Sequence, residues 1–305
     1  MPVLVFLCIS MGGNDGILDP GDDQLWTQAS LFIDGTVSSG DQFGWSLAVG
    51  DFDDDGKYDL AIGVPGDVVD GLDNAGSVNV IYGGSDGLGA TGNQLWNQNT
   101  SGIGGVAEVD DQFGYSLEVA DFNFDGVDDL AIGIPYEDIG SEEDAGAVQI
   151  IYGEADEGLV STGSLFISQD EPGFLGLSEA GDLFGFSLAS GRLNNDNHYD
   201  LSIGAPSEDF DDATNAGAVY VVHGSSGGLQ FNDEYSISES NLSVPGGRRA
   251  NRRFGYAQTS SDFDNDNKHD LAINAWPPFQ SSDNVSAVIV AYRVNHDFIF
   301  SDGFE

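Results

Sequence analysis

Apolar residues fall at every second position in short runs along this chain. In "FGWSLAV" Phe43, Trp45, Leu47 and Val49 share one face, and in "DLAIGV" Leu60, Ile62 and Val64 do the same. Both runs are rich in β-branched and aromatic residues and are bounded by Gly, Asp and Asn. That combination predicts strands joined by tight turns. "SVNVIYG" and "QLWTQ" supply two further strand candidates, and no stretch carries a sustained helical period.

The pattern returns as a unit. "FGWSLAVGDFDDDGKYDLAIGVP" starts at Phe43, "FGYSLEVADFNFDGVDDLAIGIP" at Phe113, "FGFSLASGRLNNDNHYDLSIGAP" at Phe184 and "FGYAQTSSDFDNDNKHDLAINAW" at Phe254, at spacings of 70, 71 and 70 residues. Each is followed by a second landmark, "NAGSVNVIYGG", "DAGAVQIIYGE", "NAGAVYVVHGS" or the degraded "NVSAVIVAYRV". Four predicted strands per unit at this repeat length make an all-β protein built of propeller blades. Blades pack face to face, because none can bury both of its faces alone. The units run at about 24–88, 94–158, 164–229 and 234–293 within a repeat region of 24–293.

Between the first two strands of each unit lies an acidic loop. Counting Asp51 as position 1, oxygen-bearing side chains fall at positions 1, 3, 5 and 9: Asp51, Asp53, Asp55 and Asp59. Gly56 permits a sharp bend, and Lys57 at position 7 offers its backbone carbonyl. Hard oxygens at this spacing suit Ca²⁺, which accepts irregular cages of six to eight ligands. A helix–loop–helix Ca²⁺ site needs a glutamate at position 12, where this chain has Ile62, so the loop joins two strands instead. The second copy supplies Asp121, Asn123, Asp125, Val127 and Asp129, and the fourth Asp262, Asp264, Asp266, Lys268 and Asp270. The third begins with Arg192, followed by Asn194, Asp196 and Asp200. A guanidinium at the first ligand position repels a metal. The expectation is three Ca²⁺ sites and one metal-free loop held by an internal ion pair.

Composition sharpens this picture. The 305 residues carry 52 acidic and 8 basic side chains, a formal net charge of −44. Such a surface repels nucleic acid and anionic membranes and attracts cations. The single cysteine, Cys8, excludes an internal disulfide framework. No run is long enough to span a bilayer.

Phe-Gly, the D-x-D-x-D-G-x-x-D loop and "DLAIG" ("DLSIG" in the third unit) leading into a G-x-P with Pro65, Pro135 or Pro206 resemble the FG-GAP repeat, the blade of the integrin α-subunit propeller. The resemblance implies a propeller whose loops bind structural Ca²⁺, and a role in adhesion or protein interaction. It implies a non-catalytic protein, at the cell surface or exported, with a protein or glycan ligand at its blade loops. The alternative is an accessory propeller of a larger secreted hydrolase, such as a phospholipase or a polysaccharide-degrading enzyme. Propellers of this kind usually have seven blades, and four four-stranded units are visible here. An incomplete ring is therefore favoured over a closed ring of four, in which "QLWTQ" (24–28) would complete the fourth unit.

Other signals weigh less. Residues 1–23 read as the remnant of a preceding blade or as a truncated signal segment. The tail, 294–305, looks like the short ends of exported bacterial proteins. "GGRRANRR" (246–253) holds four of the basic residues, and reads better as internal charge balance than as a docking spot for an acidic partner. "GWSLA", "GYSLE" and "GFSLA" lack the final glycine of a nucleophile elbow and recur once per unit, so Ser46, Ser116 and Ser187 read as strand residues rather than nucleophiles.

Overall fold

The computed structural model describes residues 7–12, 18–172, 174, 176–194, 196–240, 249–275 and 287–291. The expectations placed on residues 1–6, on 246–248 and on the 294–305 tail lie outside these. Among the described residues every regular element is a strand.

Three antiparallel four-stranded sheets follow one another in chain order. The first contains β3 (Leu47–Gly50), β4 (Asp59–Val64), β5 (Ser77–Tyr82) and β6 (Gly89–Trp96). The second contains β7 (Ser116–Ala120), β8 (Asp129–Ile134), β9 (Ala147–Glu154) and β10 (Gly158–Ile167). The third contains β11 (Ser187–Gly191), β12 (Asp200–Ala205), β13 (Ala218–His223) and β14 (Gln230–Ile237). A fourth sheet shows three strands, β15 (Gln258–Ser261), β16 (Asp270–Ala275) and β17 (Ala287–Ala291). Each is a propeller blade, and the first strands touch in order, β3 to β7, β7 to β11 and β11 to β15.

The sheets are offset from the repeat. The "QLW" of residues 94–96 forms the end of β6 and pairs with β5 of the preceding unit, Val78 opposite Trp96. The "QLW" of residues 24–26 ends β2 (Leu18–Trp26), which pairs with β1 (Leu7–Gly12) in a two-stranded sheet of its own. Among the described residues it makes no pairing with the strands of the fourth blade.

Burial follows from the stacking. Every residue of β4, β8 and β12 is buried, although the sequence alternates, because each of these strands lies between two neighbouring layers. The alternation sorts large residues to one seam and small ones to the other. A Cβ on Gly63 would lie 2.2 Å from the carbonyl oxygen of Gly114 in the next blade, so only glycine allows this approach. One cluster, with Phe52, Val78 and Trp96 against Phe113, Ile132 and Ile151, fills the seam between the first two blades.

The first strand tells a different story. Phe43 is buried, but Trp45, Leu47 and Val49 are 51%, 46% and 56% exposed. Their counterparts Leu117 and Val119 pack into the seam against the first blade. In front of the first blade, Trp26 and Ile33 cover Phe43, Leu60, Ile62 and Ile81 but leave the β3 face open. The predicted shared face of Trp45, Leu47 and Val49 exists, and its cover is what differs. Trp45, Tyr115, Phe186 and Tyr256 form a row across the four blades, with ring centroids 5.5, 4.8 and 4.7 Å apart.

The recurrent serines stitch the seams. The hydroxyls of Ser46, Ser116 and Ser187 each donate to the next blade's glycine carbonyl, of Gly114, Gly185 and Gly255, at 2.7 Å. Ser116→Ala is expected to cost about 1 kcal/mol, the usual net value of such a bond. Urea denaturation checks this. An unchanged midpoint would show that the stitch adds nothing to cohesion.

Candidate metal centres

Each acidic loop begins where the blade's first strand ends and closes as its second strand starts. The chain turns through left-handed geometry twice, at Asp54 and Gly56, at Phe124 and Gly126, and at Asn265 and Asn267. Asparagine tolerates this region better than most residues, which explains how Asn267 replaces the glycine. In the first loop Asp51 accepts from the amides of Asp55 and Gly56, and Asp53 from that of Asp55. Asp121 with Asn123, and Asp262 with Asp264, repeat this pattern in the second and fourth loops.

Carboxylates therefore converge. One oxygen from each of Asp51, Asp53 and Asp59 lies within 4.8 Å of the other two, and Asp262, Asp264 and Asp270 do the same. In the second loop Asn123 contributes an amide in place of the second carboxylate. Asp55 and Asp266 fall outside these clusters, and Asp125 accepts from the Asn123 amide at 2.9 Å. Asp55 accepts from the amide of Lys57 and pairs with its ammonium at 2.8 Å, which draws its carboxyl below the usual range. Asp125 and Asp266 accept from the amides of Val127 and Lys268.

The position-9 aspartates have a role the spacing did not reveal. Asp59 accepts from the amides of Phe52 and Gly83, and Asp129 from those of Phe122 and Gly153. Each thereby pins its loop to the end of the blade's third strand. Burial pushes the carboxyl of Asp59 up to about 6 and that of Asp129 to about 8. Asp200 makes the same two bonds, to Leu193 and Gly224, in the loop that begins with arginine. The pin thus survives the loss of the first acid.

In that third loop no internal ion pair of Arg192 is seen among the described residues. Arg192 is exposed and stacks on Tyr199, 5.1 Å from the ring centroid. His223 instead lies 3.2 Å from Asp200, and Asn194 3.3 Å from it. Position 1 there offers no acceptor, and the convergence of the other loops is lost.

The first loop is also tied to the next blade. The carboxyl of Asp128 accepts from the amide of Asp51 at 2.9 Å, and the carbonyl of Asp53 accepts from the amide of Asp156 at 2.9 Å. Order in a loop is therefore transmitted across a seam.

The FG-GAP repeat pattern matches residues 43–81, 113–151 and 184–222. This is an FG-GAP repeat protein, integrin-α-like in its blades. The FG-GAP chain is 34% identical to integrin alpha pat-2 of Caenorhabditis briggsae over 249 residues, 77% of this chain and 18% of that protein. It is 30% identical to integrin alpha-PS2 of Drosophila melanogaster over 259 residues, 82% of this chain and 16% of that protein. It is also 33% identical over 170 residues to the human phosphatidylinositol-glycan-specific phospholipase D, 55% of this chain and 19% of that enzyme. The chain spans less than a fifth of the length of these relatives. The fourth unit lies outside the matched repeats yet folds as a blade, with Asn267 for glycine and Arg252 and Arg253 before its Phe-Gly.

The residues present fit a hard cation. Three mutually repelling carboxylates gathered around backbone amides offer only oxygen ligands.

Proposed function

We propose that this chain is an extracellular or cell-surface, calcium-stiffened propeller scaffold without catalysis of its own, which presents its blade loops to a protein or glycan ligand. The observation that carries the metal half is the convergence of Asp51, Asp53 and Asp59, repeated by Asp262, Asp264 and Asp270. Asp121, Asn123 and Asp129 complete the set of three Ca²⁺ sites. Asp55, Asp125 and Asp266 would swing in or act through water, and the carbonyls of Lys57, Val127 and Lys268 would close the cages. Bound Ca²⁺ neutralises the loop carboxylates. The chain's own contribution is to hold those oxygens on a short hairpin pinned at position 9 and braced to the next blade. The similarity to integrin α chains supports the adhesive role, and the strong negative charge argues against a nucleic-acid partner. Among the described residues no helix is long and apolar enough to cross a membrane.

The similarity to a phospholipase D supports a second reading, an accessory propeller of a larger secreted hydrolase. Binding of the purified chain to arrayed glycans and matrix proteins, with Ca²⁺ and with chelator, separates the two. Ca²⁺-dependent capture supports the scaffold role, and no capture in either condition removes it.

The third loop gives an internal test of the ligand rule. Arg192→Asp restores the first ligand and is expected to add one Ca²⁺ per chain, counted by native mass spectrometry. An unchanged count would mean that position 1 does not decide occupancy.

A further inference from the structure

A second set of acids recurs at the seams, away from the loops. Each set stands at fixed offsets from its Phe-Gly: a glutamine fifteen residues before the phenylalanine, an aspartate two before it and an acid twenty-four after it. In the first unit these are Gln28, Asp41 and Asp67. In the second they are Gln98, Asp111 and Glu137, and in the third Gln169, Asp182 and Glu208. All nine are buried.

In the second and third sets the glutamine meets the later acid. Gln98 Nε2 donates to Glu137 at 2.5 Å, and Gln169 Nε2 donates to Glu208 at 2.7 Å. Asp67 accepts from Ser77 at 2.5 Å, and Gln28 Nε2 is enclosed without a partner. One carboxylate oxygen of each aspartate before Phe-Gly accepts a local backbone amide, from Ser38, Glu108 or Glu179. Oxygens are left over: Asp41 Oδ1, Gln98 Oε1 and Gln169 Oε1 are fully enclosed and have no donor. The backbone of Gly105 packs closely against the second of these sets. A Cβ on Gly105 would lie 2.6 Å from Gln98 Nε2 and 2.8 Å from Glu137 Oε1. The charges felt by Asp111 and Glu137 include those of Glu108 and Asp138, and those felt by Asp182 and Glu208 include Glu179 and Asp209; all are negative.

The fourth unit shows what such a seam accepts. The glutamine becomes Glu239, the aspartate becomes Arg252, and the third position is Pro278. Arg252 and Glu239 are buried and form an ion pair, with nitrogen–oxygen distances of 2.9 and 3.0 Å. Where the chain drops one acid of the pair and replaces the other by arginine, it also turns the amide into an acid. A positive group sits in the fourth seam, where the corresponding positions of the others hold buried acids and an amide.

We propose that each of the first three seams is a cation site distinct from the loops, taking one Ca²⁺ between its two carboxylates and the glutamine amide oxygen, where the fourth seam carries its own guanidinium. Two carboxylates match a divalent charge, and all donors are hard oxygens. Without a cation, burial favours the protonated form of each acid. Burial pushes Asp111 and Glu208 up to about 7, and Glu137 and Asp182 up to about 8. The sign follows from that direction. Folded values raised above the unfolded ones give stability that is present below the unfolded range and lost as pH rises through about 7 to 8.

The test counts Ca²⁺ on the intact chain by native mass spectrometry and equilibrium dialysis. The loop variant Asp51→Ala, Asp121→Ala, Asp262→Ala is expected to keep the seam ions. A variant that carries the fourth seam's chemistry in the second, Gln98→Glu with Asp111→Arg and Glu137→Gln, is expected to lose one ion from the wild-type count. A loop variant that binds none, with a seam variant that matches wild type, overturns the proposal and leaves the loop sites standing. Equal counts for wild type and loop variant support the seams and remove the loop sites. If the loop variant does not fold, the seam variant alone decides. A melting temperature that falls from about pH 6 to about pH 9 and that Ca²⁺ does not restore would show protons, not metal, in the seams, and would also overturn it.

Discussion

Millimolar Ca²⁺ is expected to raise the melting temperature of this chain by roughly 10 °C over the chelated protein, with Mg²⁺ much less effective. Extracellular Ca²⁺ modules bind with constants of about 10⁻⁴ to 10⁻³ M, so each occupied loop adds on the order of 2 kcal/mol at about 10 mM ion. Three such loops act on one stack of blades, and a chain of this size gains a few degrees per kcal/mol. Mg²⁺ demands tighter octahedral geometry than a flexible hairpin of aspartates supplies. The loop variant Asp51→Ala, Asp121→Ala, Asp262→Ala is expected to lose the loops' share of the rise. A scanning calorimetry trace identical in chelator, Mg²⁺ and Ca²⁺ would leave the converging carboxylates without a metal role.

Phe113→Ala is expected to cost about 4 kcal/mol, the usual range for a large core aromatic. Phe113 is fully buried in the seam between the first two blades. Its amide donates to the carbonyl of Ala75 in the preceding blade at 2.9 Å, so the backbone is fixed and the site has little freedom to collapse. Leu47→Ala, on the exposed face of β3, is expected to change stability by less than about 0.5 kcal/mol. Urea denaturation in saturating Ca²⁺ compares the two. Similar losses for both would mean that cohesion does not reside in the seams.

Much of this was legible in the residues. The recurring Phe-Gly, the acidic loop and "DLAIG" located the first two strands of every blade and the turns between them, because period two and the turn residues are local signals. Strand exchange between units was not legible. A short apolar segment ("QLW", "QLW", "SLF" or "EYS") precedes each Phe-Gly in sequence but pairs backward, and nothing in so short a run says which neighbour it joins. The burial of both faces of β4 depends on stacking and is likewise invisible to a one-strand pattern. Arg192 stands out in the loop series, and its side chain found the face of Tyr199 rather than the loop interior. The seam acids escaped notice because Gln98, Asp111 and Glu137 lie on three separate segments. Their fixed offsets from Phe-Gly, and the change to Glu239 and Arg252 in the fourth unit, were the available signal.

The serine stitches have a direction: one blade gives the hydroxyl and the following one receives it. A contact of that kind links unlike surfaces, so it propagates by addition rather than by mirror pairing. Lengthening or shortening such an array by one unit needs no new surface, only another copy of the old one. Ala257 occupies the giving position in the fourth blade and has no hydroxyl to hand on. Whatever packs beyond that blade must grip it without this hydroxyl.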